Sequence, residues 1–303
     1  MRRLHYHRVD VFTDRAFGGN PLAVFTNGRG LSGETMQAIA KEFNLSETTF
    51  VLPPDDPRHD YRVRIFTPDQ ELPMAGHPTV GTTYVLAREH MVRRDADEVI
   101  VTLEEGVGPI PVRVVYEGGE PVFAEMSQPL PVFGPRLEDR GLAAAMLSLG
   151  EEDLEPGLPL EVVSCGVPFL YVPVRGLDAA RRARPRADLI ERAAGRGVPP
   201  EVFLFTREVV HDGSTVHSRM FAPGLGITED PATGGASGPL GCYLVRHGLV
   251  AAGGGAAEIV SEQGVEMGRP SFVFIRIERE GERITAVRVG GRSYYMGEGF
   301  LEV

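Results

Sequence analysis

Apolar and polar side chains alternate over residues 5–12 and predict a strand. A second apolar run at 22–25 follows the turn residues Gly18-Gly19-Asn20-Pro21, so the two strands read as a hairpin. Met36, Ile39 and Phe43 then recur at helical spacing, which predicts a helix over 34–43 with Glu34 favourably placed in its first turn. Strands are predicted at 48–52 and 61–66. A helix is predicted at 78–91, with Pro78 at its first position and Val80, Tyr84, Ala87 and Met91 on one face. Beyond it, strands are predicted at 99–103, 110–116 and 122–128, a helix at 137–149, strands at 161–164 and 170–174, and a helix at 187–194. The remaining pattern predicts strands at 202–205 and 216–221, a helix at 236–247, and strands at 259–262, 272–278 and 284–290. Meandering strands with few helices make an α+β chain and exclude the strict βαβ alternation of a dinucleotide fold.

The pattern also repeats. Arg64-Ile65-Phe66-Thr67-Pro68, then Glu71, then Ala75-Gly76-His77-Pro78-Thr79 lead into a helix. So do Arg219-Met220-Phe221-Ala222-Pro223, then Glu229-Asp230, then Pro231-Ala232-Thr233-Gly234-Gly235. Each copy is a strand ending in aromatic-x-Pro, an acidic loop, a glycine turn and a helix. Two similar lobes are implied, 1–128 and 129–303, with the final strand free to return to the first. Each helix N-terminus carries N–H groups without intrahelical acceptors, which favour an anion. If the lobes face each other, the two N-termini converge on one cleft suited to a small carboxylate.

Composition narrows the chemistry. The 303 residues carry 42 acidic against 31 basic side chains, a net charge of −11, which argues against nucleic acid or an anionic membrane as partner. No apolar run approaches the about 18 residues of a membrane-spanning helix, and the opening residues lack the apolar core of a secretory signal. Two widely spaced cysteines, Cys165 and Cys242, fit a reducing, cytoplasmic setting. Only one of the basic residues is a lysine, Lys41, so Schiff-base and P-loop chemistry have almost nothing to work with. His5 and His7 share a strand face but lack a third ligand at metal spacing, so no metal is expected. Gly235-Ala236-Ser237-Gly238-Pro239 fails the nucleophile-elbow pattern at its last position.

A carboxyl or an imidazole is left to do the work. Glu47 stands at a helix–strand junction next to Leu45 and Phe50; it is either a solvated cap or a buried proton carrier. His77 precedes a helix and either holds its first turn or meets substrate. Asp230 is either a loop acid before a proline or a group that orients a substrate amine. A two-thiol racemase would need a cysteine in each glycine turn, and neither 75–81 nor 230–235 contains one. A one-carboxyl amino-acid epimerase and a non-catalytic small-molecule-binding relic remain as alternatives.

Five segments together resemble the PhzF-type phenazine-biosynthesis isomerases. They are GNPLAVF (19–25), NLSETTFV (44–51), ELPMAGHPT (71–79), EDPATG (229–234) and QGVEMGRP (263–270). The resemblance implies a diaminopimelate-epimerase-like fold: two pseudo-symmetric lobes, each a mainly antiparallel sheet wrapped around a central helix. It implies cofactor-independent proton transfer within a small carboxylate, similar to trans-2,3-dihydro-3-hydroxyanthranilate isomerisation, and a homodimer. The family's catalytic glutamate, histidine and aspartate fall on Glu47, His77 and Asp230, with Ser46, Gly76, Gly234 and Gly235 as substrate-binding positions. Where the phenazine enzyme has a serine after Ala-Thr-Gly, this chain has Gly235, with Ser237 two residues on, which bears on the substrate's identity.

Overall fold

The structure is a computed structural model that describes residues 2–303. The chain divides into two compact units: residues up to Ser127 together with Val289–Val303, and Gln128–Arg288. The C-terminal stretch 289–303 thus packs with the first unit.

The first unit begins with β1 (Arg3–Val11), β2 (Asn20–Phe25), α1 (Gly33–Phe43), β3 (Glu47–Leu52) and β4 (Tyr61–Phe66). It continues with β5 (Glu71–Leu72), α2 (Gly76–Arg88), β6 (Glu98–Glu105), β7 (Gly108–Glu117) and β8 (Glu120–Gln128). β1 and β2 form the antiparallel hairpin, β2 and β3 run parallel across α1, and β3 and β4 are antiparallel. β4 pairs parallel with β6 across α2, and β6, β7 and β8 form a meander. Every residue of α2 from Gly76 to Ala87 is buried, and the helix packs on β1, β2, β3 and β7. The approach is close because Gly81 has no side chain: a Cβ there would lie 2.5 Å from Val11 Cγ2 and 2.8 Å from Leu22 Cδ2. On the other side α1 covers Phe25, Phe50 and Phe66, with Phe25 stacked on Phe50 at 4.9 Å. Ser32 caps α1 through Thr35 N, and Asn44 ends it in the left-handed region at φ 50°, a conformation that asparagine tolerates better than most residues.

The second unit contains β9 (Val132–Arg136), α3 (Arg140–Met146), β10 (Glu161–Ser164), β11 (Pro168–Pro173), α4 (Gly176–Arg182) and α5 (Ala187–Ala194). It continues with β12 (Val202–Thr206), β13 (Val216–Ala222), β14 (Ile227–Asp230), α6 (Gly234–Arg246), β15 (Ala256–Gln263) and β16 (Ser271–Glu280), and β17 (Arg283–Gly291) crosses the boundary. The pairing pattern repeats that of the first unit. β10–β11 is antiparallel, β11–β12 parallel, β12–β13 antiparallel, β13–β15 parallel and β15–β16 antiparallel. α6 is buried from Gly234 to Val245 and packs on β10, β11, β15 and β16. Gly241 allows this approach as Gly81 does for α2, since a Cβ would lie 2.7 Å from Ile275 Cγ2. The last strand, β18 (Ser293–Glu302), pairs with β1.

Several elements depart from the periodicity. The helix predicted to 91 ends at Arg88, because His90 turns left-handed at φ 55° and leaves Met91 exposed. The helix predicted over 137–149 shrinks to α3, capped by Asp139 through Leu142 N and followed by Ser148 at φ 58°. α4 buries only Ala179 and Ala180, too little apolar signal to read in advance. β18 is nowhere fully buried and is held by its ladder to β1 rather than by a strong hydrophobic pattern. Among the described residues no helix is long and apolar enough to cross a membrane.

Candidate active site

In the first unit two adjacent elements present Glu47 and His77 to each other. Glu47 opens β3, opposite Leu22 of β2, and is buried; His77 lies in the first turn of α2 and is also buried. His77 Nε2 stands 3.2 Å from Glu47 Oε2. β3 and α2 are tied two residues further along the strand, where the Thr49 and Thr82 hydroxyls share a hydrogen bond of 2.8 Å. The other ring nitrogen, Nδ1, accepts a hydrogen bond of 3.1 Å from Asn20 Nδ2. A nitrogen that accepts carries no proton, so the neutral ring holds its proton on Nε2, the nitrogen nearer Glu47. Burial keeps His77 neutral by pushing its pKa down to about 3. The pair therefore holds one carboxyl beside an imidazole that does not itself titrate near neutrality.

A second buried carboxyl, from β6, meets the same turn. The Thr79 hydroxyl lies 2.6 Å from Ala75 O and 2.5 Å from Glu105 Oε1. Glu105 is the last residue of β6, and burial pushes its pKa up to about 8.

In the second unit Asp230 ends β14, and its carboxylate accepts a 2.5 Å hydrogen bond from the Thr233 hydroxyl. Gln263, the last residue of β15, braces the turn from below. Its Nε2 donates to Asp230 O and Thr233 Oγ1, and its Oε1 accepts from Thr233 N. Ser271 donates to Pro231 O. The turn thus delivers Asp230, Gly234 and Gly235 to the N-terminus of α6, whose first N–H groups lack intrahelical acceptors.

Beside this turn lies a buried charge network. His217 is fully buried between Glu262 (2.9 Å from Nδ1) and Glu266 (3.0 Å from Nε2). Burial opposes its charge, but hydrogen bonds to the two glutamates outweigh burial and push its pKa up to about 9. Burial likewise opposes ionisation of Glu262, yet bonds from His217 and from the Val210 and His211 N–H groups bring it down to about 2. Arg219 makes a bidentate pair with Glu229, both bonds 2.8 Å.

Of the residues singled out from the sequence, Ser46, Glu47, Gly76 and His77 belong to the first unit, and Asp230, Gly234 and Gly235 to the second. Asn20, Glu105 and Gln263 carried no assigned role in the sequence. Asn20 and Gln263 lie inside resembling segments; Glu105 becomes visible only when Glu104-Glu105-Gly106 is set against Glu262-Gln263-Gly264 as a further piece of the repeat. Both cysteines are buried in the second unit, where a hydrogen bond from Cys165 and burial raise the Cys242 thiol. The acidic neighbour that His5 and His7 lacked in the sequence arrives from β18. Glu298 lies 3.2 Å from His5 Nε2 and 4.0 Å from His7 Nδ1, while the Tyr295 hydroxyl lies 3.2 Å from the same His7 nitrogen.

With this geometry in hand, comparison with known proteins is decisive. The family model described as phenazine biosynthesis-like protein (PhzC-PhzF) matches residues 9–299. The chain belongs to this family. It is 37% identical over 294 residues to the trans-2,3-dihydro-3-hydroxyanthranilate isomerase of Pseudomonas aeruginosa, covering 97% of this chain and 98% of that one. The crystal structure of a PhzF-family phenazine biosynthesis protein from Bacillus anthracis superposes with a TM-score of 0.88 at 28% identity, over 100% of both chains. A hydroxyproline epimerase from Agrobacterium vitis matches with a TM-score of 0.68 at 15% identity, covering 99% of this chain and 92% of that one; this likeness concerns the fold. The chain is an isomerase of the PhzF family with a diaminopimelate-epimerase-like α+β fold.

Proposed function

We propose that this PhzF-family isomerase moves a proton within a small carboxylate substrate without a cofactor, and that Glu47 takes and returns that proton. The observation that carries the reading is the buried pair itself: a carboxyl 3.2 Å from a neutral imidazole. An ionised Glu47 oxygen removes a proton from one substrate carbon, and the electron pair left behind spreads into the conjugated acid. The protonated carboxyl then delivers the same proton to a second carbon on the same face, so no proton, electron or atom is gained or lost. His77 packs its ring against the carboxyl, and because it stays neutral it adds no charge that would pin the proton. Asp230, with Gly234, Gly235, Ser46 and Gly76, serves binding in this reading. The N-terminus of α2, which carries His77, favours the negative charge that develops on the substrate.

Trans-2,3-dihydro-3-hydroxyanthranilate is the first substrate to try, since the Pseudomonas relative is named for it. The test is turnover in deuterium oxide, with mass spectrometry locating the label. Wild type should isomerise the substrate or exchange one carbon-bound proton, and Glu47→Gln should lose about 10²–10⁴ in rate while still binding. Full activity in Glu47→Gln would remove Glu47 from the role.

A further inference from the structure

We infer that Glu105 is carried as a neutral carboxylic acid that donates its proton to Thr79, and that it positions the first turn of α2, and with it His77. One hydrogen decides the arrangement. The Thr79 hydroxyl has a single proton but two oxygen neighbours within hydrogen-bond range, Ala75 O at 2.6 Å and Glu105 Oε1 at 2.5 Å. A backbone carbonyl can only accept, so the Thr79 proton goes to Ala75 O. The contact to Glu105 then holds together only if the carboxyl supplies the proton. A carboxylate there would set lone pair against lone pair, or pull the Thr79 proton away from Ala75. The other carboxyl oxygen, Oε2, is buried and has no hydrogen-bond partner among the described residues. An ionised carboxyl with one orphaned buried oxygen costs far more than a neutral acid in the same place.

The internal repeat supports the assignment independently. The strand register aligns Arg62, opposite Glu104, with His217, opposite Glu262, so the next residues, Glu105 and Gln263, are counterparts. Thr79 and Ser237 are counterparts as the fourth residues of α2 and α6, and each donates to the carbonyl four residues back. Gln263 braces its turn as an uncharged donor and acceptor. A protonated glutamate has nearly the shape of glutamine and the same capacity to donate. The first unit needs fewer bonds at this point, because Ala75 stands where Thr233 offers a hydroxyl.

The charged groups around Glu105 are already engaged with one another. Arg62 pairs with Asp55 on the loop before β4, Arg64 with Glu71 on β5, and His59 with Glu104 on β6, at 2.7, 2.6 and 2.8 Å. His77, on α2, is neutral. Burial is the force that holds the Glu105 proton, with a pKa near 8 against 4.5 when solvated.

The fold therefore binds a proton that the unfolded chain releases between about pH 4.5 and 8. Stability from this group is complete below that window and declines as pH rises through it. The experiment compares wild type with Glu105→Gln by denaturant unfolding from pH 5 to 9. The ratio of the wild-type to the variant unfolding constant should rise about tenfold per pH unit within the window and then level off. A ratio that stays flat with pH, or a Glu105→Gln chain that fails to fold, would overturn the assignment. The positioning role is read from His77 ring ¹⁵N shifts in wild type. They should move with a single inflection near pH 8 and show none in Glu105→Gln; wild-type shifts that stay flat to pH 9 would overturn that part. Calling Glu105 a positioning residue rests on the function proposed for His77, but the unfolding and shift measurements need no substrate. They stand or fall separately from the Glu47→Gln assay.

Discussion

The two units build one scaffold and carry different side chains on it. In each, an arginine near the end of a strand makes a bidentate pair with the glutamate that opens the turn: Arg64 with Glu71, and Arg219 with Glu229. In each, the glutamate next to the end of the following strand accepts two consecutive backbone N–H groups and a histidine from the preceding loop. Glu104 receives Asp55 N, Asp56 N and His59; Glu262 receives Val210 N, His211 N and His211 Nδ1. In each, a glycine then backs onto the turn proline, Gly106 onto Pro73 and Gly264 onto Pro231. On this shared frame the candidate site positions differ. Leu72 stands where the second unit has Asp230, and Gly235 stands where the first has His77. Even the position of Glu47 has a counterpart. Thr48 lies opposite Phe66 as Val202 lies opposite Phe221, so Glu201 matches Glu47. The scaffold is held by backbone geometry and repeated ion pairs, so it tolerates different side chains where the turn meets its helix. That freedom lets one half carry the buried Glu47–His77 pair and the other Asp230 at the start of its helix.

The largest expected effect breaks the symmetry directly. Glu47→Gln should cost about 10²–10⁴ in turnover, whereas Glu201→Gln, whose counterpart histidine position is a glycine, should leave turnover within about twofold in the same deuterium-exchange assay. Equal losses would mean the two glutamates share the work.

Stability should divide the two clamping glutamates. Glu262→Ala strands the buried His217 charge and should cost about 3–5 kcal/mol. Glu104→Ala frees only loop N–H groups and the partly buried His59, and should cost about 1–2 kcal/mol by the same urea titration.

Acid and alkali should read the halves in opposite directions. His217 has a raised folded pKa, so its contribution is complete below about pH 6.5 and fades as pH approaches 9, amounting to about 3 kcal/mol at full effect. His77 has a depressed one: the unfolded chain binds its proton first, so stability falls as pH drops from 6.5 toward 3. Histidine NMR titration checks both, with His217 expected to remain protonated at pH 7.5 and His77 to remain neutral at pH 5. The smallest effect is expected at Arg64→Met, about 0–1 kcal/mol, because Glu71 is well exposed and water screens the pair.

Much of this architecture could be read from residue order. The α+β class, the repeat, the central helices and the candidate acids all rest on local pattern or on contiguous segments, and the family comparison agrees on class and fold. Short or weakly apolar elements escaped. α4 has two buried alanines, and β18 has no fully buried position, so neither produces a period strong enough to detect. Helix ends were misplaced where His90 and Ser148 adopt left-handed backbone, a choice set by the surrounding packing more than by residue type.

The sequence alone determined which side chains are available. One lysine and no cysteine in either glycine turn leave carboxyls and imidazoles as the candidate groups, and the doubled Arg…Glu…Gly segment dictates two matched turns. Only tertiary structure decided the state of those groups. His77 is neutral because α2 lies wholly inside the sheet, and its proton sits on Nε2 because Asn20, fifty-seven residues away, occupies Nδ1. His217 is charged in an equally buried place because two glutamates from β15 and the turn after it reach both of its nitrogens. Protonation follows the balance of desolvation against partners, and that balance does not exist until distant strands have brought the partners together.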